Sequence, residues 1–313
     1  MSLFSSFLAE SKNGEITHTI LKNASVSLCI KREDLIHREV SGNKFRKLKY
    51  NIKEAKKQGF DRILTFGGAY SNHIAATAAA GNIVGLQTIG IIRGDELGND
   101  IAKTLESNDT LRLASDNGMQ FKFVTRTQYR EKNSQSFLSR LKNEFGSFYC
   151  IPEGGTNKLA VRGCGEILTT TDMDFDIICC PVGTGGTIAG IINSSYKNQK
   201  ILGFPALKGG FLSKEIVQYT KNLNWELIEN YNFGGYGKIN QELIEFINTF
   251  RDEHNIILDP VYTGKMMYGV FDMIRNGYFM KNTRILAIHT GGLQGITGMN
   301  RRLLKQKLPL IKI

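Results

Sequence analysis

The sequence predicts an α/β fold built from open, mostly parallel, doubly wound sheets. Segments typical of strands and of helices alternate at short spacing, which is the pattern of parallel sheets covered by helices. Two apolar strands end in glycine-rich junctions that lead into helices, at Gly67-Gly68 and at Gly183–Gly186. The 313 residues show no internal repeat and no low-complexity linker, and this length suits one or two domains.

The predicted elements follow one another with short connections. Residues 1–25 are poorly patterned and form a leading segment. Alternating or continuous apolar runs predict strands at 26–31, 62–66, 87–92, 120–124, 147–151, 176–181, 200–204 and 284–289. Helical periodicity, with breaks at glycine or asparagine, predicts helices at 44–58, 72–80, 100–116, 128–145, 159–170, 187–195, 241–254, 264–276 and 293–304.

Composition excludes several classes of protein. The five cysteines include no paired CxxC spacing, which argues against a disulfide framework and against a zinc site, and Cys179-Cys180 is expected on opposite faces of a strand. The net charge of +11 is spread among acidic residues without a recognition motif, so no nucleic-acid partner is expected. The first residues lack a signal-peptide pattern, and the uncharged stretches 69–92 and 177–196 are broken by Gly, Asn, Thr or Pro. We expect no membrane span and a cytoplasmic location.

The stretch Ser41-Gly42-Asn43-Lys44-Phe45-Arg46-Lys47 is a candidate reactive site. Ser41 or Asn43 can cap a helix that carries Lys44 in its first turn and Lys47 one turn later on the same face. The positive helix end and the second lysine both favour a neutral Lys44 amine, which can attack a carbonyl group. The alternative is that Lys44 is an ordinary surface lysine.

The segment Val182–Gly190 follows an apolar strand and begins a helix. Glycines allow the backbone to approach an anion closely, and the helix end favours its charge, so this loop is a candidate phosphate site with Thr184 and Thr187 as hydroxyl donors. The loop matches neither the dinucleotide fingerprint nor the P-loop. A tight turn with close helix–sheet packing explains it equally well.

A second junction, Gly67–His73, exposes amides before a helix, although Ser71 or Asn72 acting as a simple helix cap also explains it. Taken in order, these motifs resemble the 1-aminocyclopropane-1-carboxylate (ACC) deaminase and D-cysteine desulfhydrase family. The other motifs that carry the resemblance are Lys31–Leu35, Pro152–Gly155, Phe233–Lys238, Leu258–Lys265 and His289–Gly292. Members of that family are pyridoxal 5'-phosphate (PLP) enzymes of the tryptophan-synthase β-subunit fold, also called fold type II.

The resemblance implies two doubly wound domains and a set of site residues. A large PLP-binding domain would comprise residues 1–49 and 151–313, and a smaller inserted domain residues 50–150. Lys44 would bind PLP, and Ser71 and Asn72 would contact the substrate carboxylate and the cofactor ring, with His73 at the border. The remaining implied residues are Lys47 and Gly183, Thr184, Gly185, Gly186 and Thr187 at the phosphate, Thr290 at the pyridine nitrogen, and Tyr236, Tyr262 and Thr263 at the substrate.

The implied activity is β-elimination from a small amino acid, as in D-cysteine desulfhydrase, with ACC deaminase as the alternative. ACC deaminases typically have Glu after the tyrosine and Leu before the paired glycines, where this chain has Thr263 and Thr290. Tyr70 also departs from the glutamine common in the family. A non-catalytic ligand-binding protein of the same fold is the third possibility. The family suggests a homodimer.

Overall fold

The computed structural model describes residues 10–313 and confirms the predicted α/β class. Residues 1–9 of the predicted leading segment (1–25) lie outside the described residues. The described residues contain ten strands in two open sheets. Of the described helices, none combines the length and apolar character that a membrane crossing requires.

The larger sheet has six strands in the order β1-β2-β10-β7-β8-β9. The edge strand β1 runs antiparallel to β2, and all other neighbours are parallel. The strands are β1 (Asn13–Ile16), β2 (Ser27–Lys31), β7 (Ile177–Val182), β8 (Lys200–Pro205), β9 (Trp225–Leu227) and β10 (Arg284–Ile288). Cys179 and Cys180 enter different hydrophobic clusters on the two faces of this sheet, as predicted.

The smaller sheet is fully parallel, with its four strands in the order β5-β4-β3-β6. Its strands are β3 (Arg62–Gly68), β4 (Gln87–Arg93), β5 (Gln120–Val124) and β6 (Tyr149–Ile151). This sheet is therefore made only from residues 62–151, and the strands of the larger sheet come from both sides of it in the sequence. The domain boundaries at 49/50 and 150/151 stay a prediction.

Thirteen α-helices cover the sheets in the described part of the chain. They are α1 (Thr19–Ala24), α2 (Asn43–Lys57), α3 (Asn72–Val84), α4 (Ile101–Ser107), α5 (Asp109–Asp116), α6 (Arg126–Arg130), α7 (Gln135–Phe145), α8 (Lys158–Cys164), α9 (Gly186–Ser194), α10 (Phe211–Val217), α11 (Gln241–His254), α12 (Thr263–Arg275) and α13 (Gly295–Lys305). The predictions missed β1, α1, β9 and α10.

Helix α2 connects the two sheets. Its first amide, of Asn43, donates to the carbonyl of Thr290 (3.3 Å), in the loop that follows β10 of the larger sheet. Farther along, Leu48 and Ile52 of α2 pack in a core with β3 and α3 of the smaller sheet. Helix α2 therefore lies between the two sheets, and its side chains can reach the space that separates them.

Candidate active site

A cleft lies where strands β3, β7 and β10 end and their following loops meet. Carboxyl ends of parallel strands are the usual location of ligand sites in open α/β sheets. The structure brings into the lining most of the predicted site residues, namely Lys44, Lys47, Ser71, Asn72, His73, Gly183, Thr184, Gly185, Thr187, Tyr236, Tyr262 and Thr290. It does not place Gly186 or Thr263 in the lining.

Lys44 lies in the first turn of α2, as predicted, but the predicted side-chain cap is wrong. Gly42 is the N-cap, and no side-chain hydrogen bond caps this end. The reason is steric, because Gly42 has φ +62° and a Cβ there would lie 2.0 Å from the carbonyl oxygen of Thr290. Burial, and next the charge of Lys47, lower the pKa of Lys44 to about 7. Near neutral pH its amine is therefore partly unprotonated.

Lys47 is fully buried beneath the glycine loop. Its Nζ donates to the carbonyl of Gly154 (3.0 Å) and to the hydroxyls of Thr156 (3.0 Å) and Thr184 (3.4 Å). Burial lowers the pKa of Lys47. Gly154 and Thr156 are site residues that the predictions missed, although they follow strand β6 at its carboxyl end, where such residues are expected.

The glycine loop after β7 leaves the start of α9 open to a ligand. Gly185 is the N-cap of α9 with φ +81°, and no side chain caps this helix. The first backbone N–H groups of a helix have no partner within the helix, so they can bind an anion. Asn43 of α2 donates through Nδ2 to the hydroxyl of Thr187 (2.9 Å), which ties the loop to the helix of Lys44.

The junction after β3 combines a helix cap with a cleft wall. Ser71 caps α3, because its hydroxyl accepts from the amide of Ile74 (3.4 Å). Oδ1 of Asn72 is buried and has no hydrogen-bond partner among the described residues. A buried polar atom without a partner is costly, which is consistent with a group that a ligand completes.

His73 is almost fully buried behind this junction. Its Nε2 lies 2.8 Å from the hydroxyl of Thr65, which itself donates to the carbonyl of Ile151 (2.9 Å). Burial, and next the charges of Lys44 and Lys47, hold the pKa of His73 well below its ordinary value. The ring is therefore neutral at physiological pH.

Two tyrosines form the opposite wall. The rings of Tyr236 and Tyr262 meet edge to face, with centroids 6.2 Å apart. Desolvation is the main cause that raises the pKa of both phenols: the pKa of Tyr262 lies well above its ordinary value, and that of Tyr236 is raised although half of its surface is exposed. Both hydroxyls therefore keep their protons at neutral pH and can act as proton donors.

Asp259 fixes the start of the helix that follows Tyr262. Its carboxylate accepts three amides, from Val261 (2.9 Å) and Tyr262 (2.8 Å) at Oδ2 and from Thr263 (2.8 Å) at Oδ1. The predictions missed Asp259 as a positioning residue, although an Asp before a helix is a typical cap. Thr263 itself is fully buried in the first turn of α12.

The cleft fits a phosphorylated aldehyde such as PLP. The open helix end, the glycine loop and the Lys47 cation suit a phosphate group, and Lys44 offers an amine with a lowered pKa. The side-chain amide oxygen of Asn72, which has no partner in the described part of the chain, is free to accept a hydrogen bond from the rest of the ligand. No group of three His, Cys, Asp or Glu that could hold a metal occurs in residues 10–313.

Comparison with known proteins agrees with this fit. The family model described as "Pyridoxal-phosphate dependent enzyme" matches residues 16–291. A Pyrococcus abyssi protein, provisionally named as an ACC deaminase, is 33% identical over 300 residues, covering 88% of each chain. The mitochondrial bifunctional D-cysteine desulfhydrase/ACC deaminase of Arabidopsis thaliana is 32% identical, covering 86% of this chain and 73% of that protein. A crystal structure of an ACC deaminase homologue superposes with a TM-score of 0.80, at 28% identity and 97% coverage of both chains.

Proposed function

Because the chain belongs to the family of pyridoxal-phosphate-dependent enzymes, we propose that it eliminates sulfide from D-cysteine. The fold is fold type II, of the tryptophan-synthase β kind, and the cofactor is PLP. The balanced reaction converts D-cysteine and water into pyruvate, hydrogen sulfide and ammonia. The Cα–H, Cβ–S and Cα–N bonds break, a proton adds at Cβ to form the methyl group, and oxygen from water replaces the amino nitrogen at Cα.

The residues that would hold the cofactor are those of the cleft around α2 and α9. Lys44 would attach it, and residues 183–187 with Lys47 would bind its phosphate. Asn72 and Thr290 would contact its ring. When bound, PLP withdraws electrons from Cα of the attached amino acid and so makes its proton removable.

The protein side chains would divide the proton transfers between the two walls of the cleft. Ser71 and the amino end of α3 would bind the substrate carboxylate. Nζ of Lys44, with its lowered pKa, would accept the proton from Cα. Tyr262 and Tyr236, which keep their protons at neutral pH, would donate to the leaving sulfur. The raised pKa of the tyrosines favours Lys44 as the base.

One observation carries the choice of D-cysteine: the described residues that line the cleft include no carboxylate. By the family resemblance, Thr290 of the cleft lining would face the pyridine nitrogen, and a hydroxyl would not hold a proton there as a carboxylate does. A weaker electron sink suits rapid loss of a good leaving group such as sulfide.

The second candidate is deamination of ACC, which gives 2-oxobutanoate and ammonia. The name of the Pyrococcus relative favours it, whereas the Arabidopsis relative is named for both activities. That reaction opens a ring that has no Cα proton, so it needs an activated nucleophile or a proton relay. Such a step is better served by a carboxylate in the cleft than by the hydroxyls present here. The carboxylate of Asp259 instead accepts the backbone amides of residues 261–263 and does not line the cleft.

The test is a comparison of kcat/KM for D-cysteine, L-cysteine and ACC. We expect pyruvate and sulfide from D-cysteine and little 2-oxobutanoate from ACC, and a higher kcat/KM for ACC would refute the proposal. Thr290→Leu should raise kcat/KM for ACC relative to that for D-cysteine. Thr220→Leu is the matched control, since Thr220 is equally buried (7% exposed) and does not line the cleft. Thr263→Glu is a poor test because Thr263 is buried.

A homodimer in the cytoplasm completes the proposal. The family resemblance supports the dimer. The cytoplasm is the location expected from the composition. Sedimentation equilibrium of the purified protein tests the first, and fractionation of the source cells tests the second.

A further inference from the structure

The segment that carries Tyr236 has an unusual backbone. Phe233, Gly234, Gly235 and Gly237 all have positive φ, at 53°, 95°, 113° and 63°. The Tyr236 side chain between them is half exposed. Glycines lose more conformational freedom on ordering than other residues do, so this segment needs contacts from outside to hold one conformation.

Lys265 supplies such contacts from a buried position in α12. Its side chain is 2% exposed, and Nζ donates to the carbonyls of Asn232 and Gly235, both at 2.8 Å. The same two carbonyls accept the amides of Gly235 (3.0 Å) and Lys238 (3.1 Å) within the segment. One ammonium group therefore joins two consecutive turns, residues 232–235 and 235–238, and the second turn contains Tyr236.

The free-energy cost of burying the Lys265 amine must be offset by the hydrogen bonds that the amine makes. Desolvation lowers the pKa of Lys265 to about 8, and the charge of Asp259 opposes that shift. A buried amine is costly unless its hydrogen bonds are made, so its two carbonyl partners are part of what keeps it in place. Lys265 does not line the cleft, which excludes direct contact with substrate there.

Helix α12 binds the rest of the segment along the same face. Tyr268 contacts Phe233 edge to face with centroids 5.0 Å apart, and Asp272 accepts from the hydroxyl of Tyr231 (2.8 Å). Positions 265, 268 and 272 repeat at the spacing of one helix face. Because α12 begins directly after Tyr262, a single helix sets the position of both tyrosines.

We propose that Lys265 is a positioning residue for Tyr236, holding its hydroxyl at the substrate by fixing the two preceding carbonyls. The functional part of this inference rests on the proposed function, in which Tyr236 donates a proton. Arg302 of α13 adds one contact from the other side, through Nη1 to the carbonyl of Gly237 (2.9 Å).

The first test replaces Lys265 in the holoenzyme. Lys265→Met removes the donors and keeps most of the side-chain volume. We expect the backbone amides of 234–238 to exchange with solvent at least about tenfold faster, as in a locally opened segment. kcat should fall by up to about 100-fold, because a displacement of the Tyr236 hydroxyl by about 1 Å can cost that much. KM should change little. Lys238→Met is the matched control, an exposed lysine of the same segment, and should leave both unchanged.

The second test combines Lys265→Met with Tyr236→Phe. If Lys265 acts through the Tyr236 hydroxyl, the double variant has the kcat of Tyr236→Phe alone, because the effects of coupled residues do not add. An undiminished loss of kcat in the Tyr236→Phe background would overturn the proposal, as would unchanged amide exchange in Lys265→Met. If Tyr236→Phe alone keeps full kcat, the assigned role of Tyr236 fails, and amide exchange still decides whether Lys265 orders the segment.

A milder variant covers the case in which Lys265→Met does not fold. Lys265→Gln keeps an amide donor on a shorter side chain that cannot reach both carbonyls equally well. Amide exchange of 234–238 should rise and kcat should fall, each by less than in the Met variant. Exchange equal to that of the wild type in Lys265→Gln would overturn the proposal.

Discussion

The amine of Lys44 should titrate near neutral pH in the cofactor-free protein. Its pKa of about 7 means that about half of the amines are unprotonated at pH 7. An unperturbed lysine, with a pKa of about 10.4, would be unprotonated to only about 0.04%, so the reactive fraction is higher by roughly 1,000-fold. Only the unprotonated amine attacks a carbonyl. The labelling rate should therefore rise between about pH 6 and pH 8 and then level off.

Reductive methylation with formaldehyde, followed by peptide mass spectrometry, measures this directly. Exposed Lys238 serves as the reference for the reagent at each pH. Lys47→Met should move the Lys44 midpoint to higher pH, because the charge of Lys47 is the second cause of the lowered pKa. The reasoning is wrong if labelling of Lys44 does not level off above about pH 8, or if Lys47→Met leaves the midpoint in place.

Two further predictions concern glycines, with Gly210 as the shared control because a Cβ there meets no atom of the described residues within 4 Å. Gly185→Val places a β-branched residue at φ +81° in the glycine loop before α9, so cofactor retention after desalting should fall at least about tenfold, whereas Gly210→Val should retain it. Gly163→Ala would put a Cβ 1.9 Å from the carbonyl oxygen of Arg46, so the free energy of unfolding in urea should fall by about 1–3 kcal/mol. Equal stability of the Gly163→Ala and Gly210→Ala variants would contradict the close approach of α8 to α2.

The sequence predicted the order of the elements better than their ends. Helix 241–254 and strand 120–124 are confirmed to the residue. The predicted end of α3 at Gly81 is wrong, and the true C-cap is Gly85 at φ +70°. Gly81 is needed for close packing instead, because a Cβ there would lie 2.3 Å from the side chain of Thr88. Helix 100–116 is two helices, since buried Asn108 caps the second one.

Motifs located the cleft, but they did not tell which way each side chain points. Thr263 follows Tyr262 in the sequence, yet the first turn of α12 directs it into the core. Lys265 acts through the carbonyls of Asn232 and Gly235, about 30 residues earlier in the chain, and no periodicity in the sequence records such contacts. Partners of this kind depend on tertiary packing and become visible only in three dimensions.

The two close backbone approaches of α2 set limits on redesign of this enzyme. At Gly42 and at Gly163 the neighbouring carbonyls leave no room for even a methyl group, so the helix of Lys44 cannot be moved by small changes in side-chain size. Tyr70 is exposed, and no step of the proposed reaction depends on it. Libraries that seek a different amino-acid substrate should therefore vary Tyr70 and leave Tyr236 and the α2 contacts unchanged.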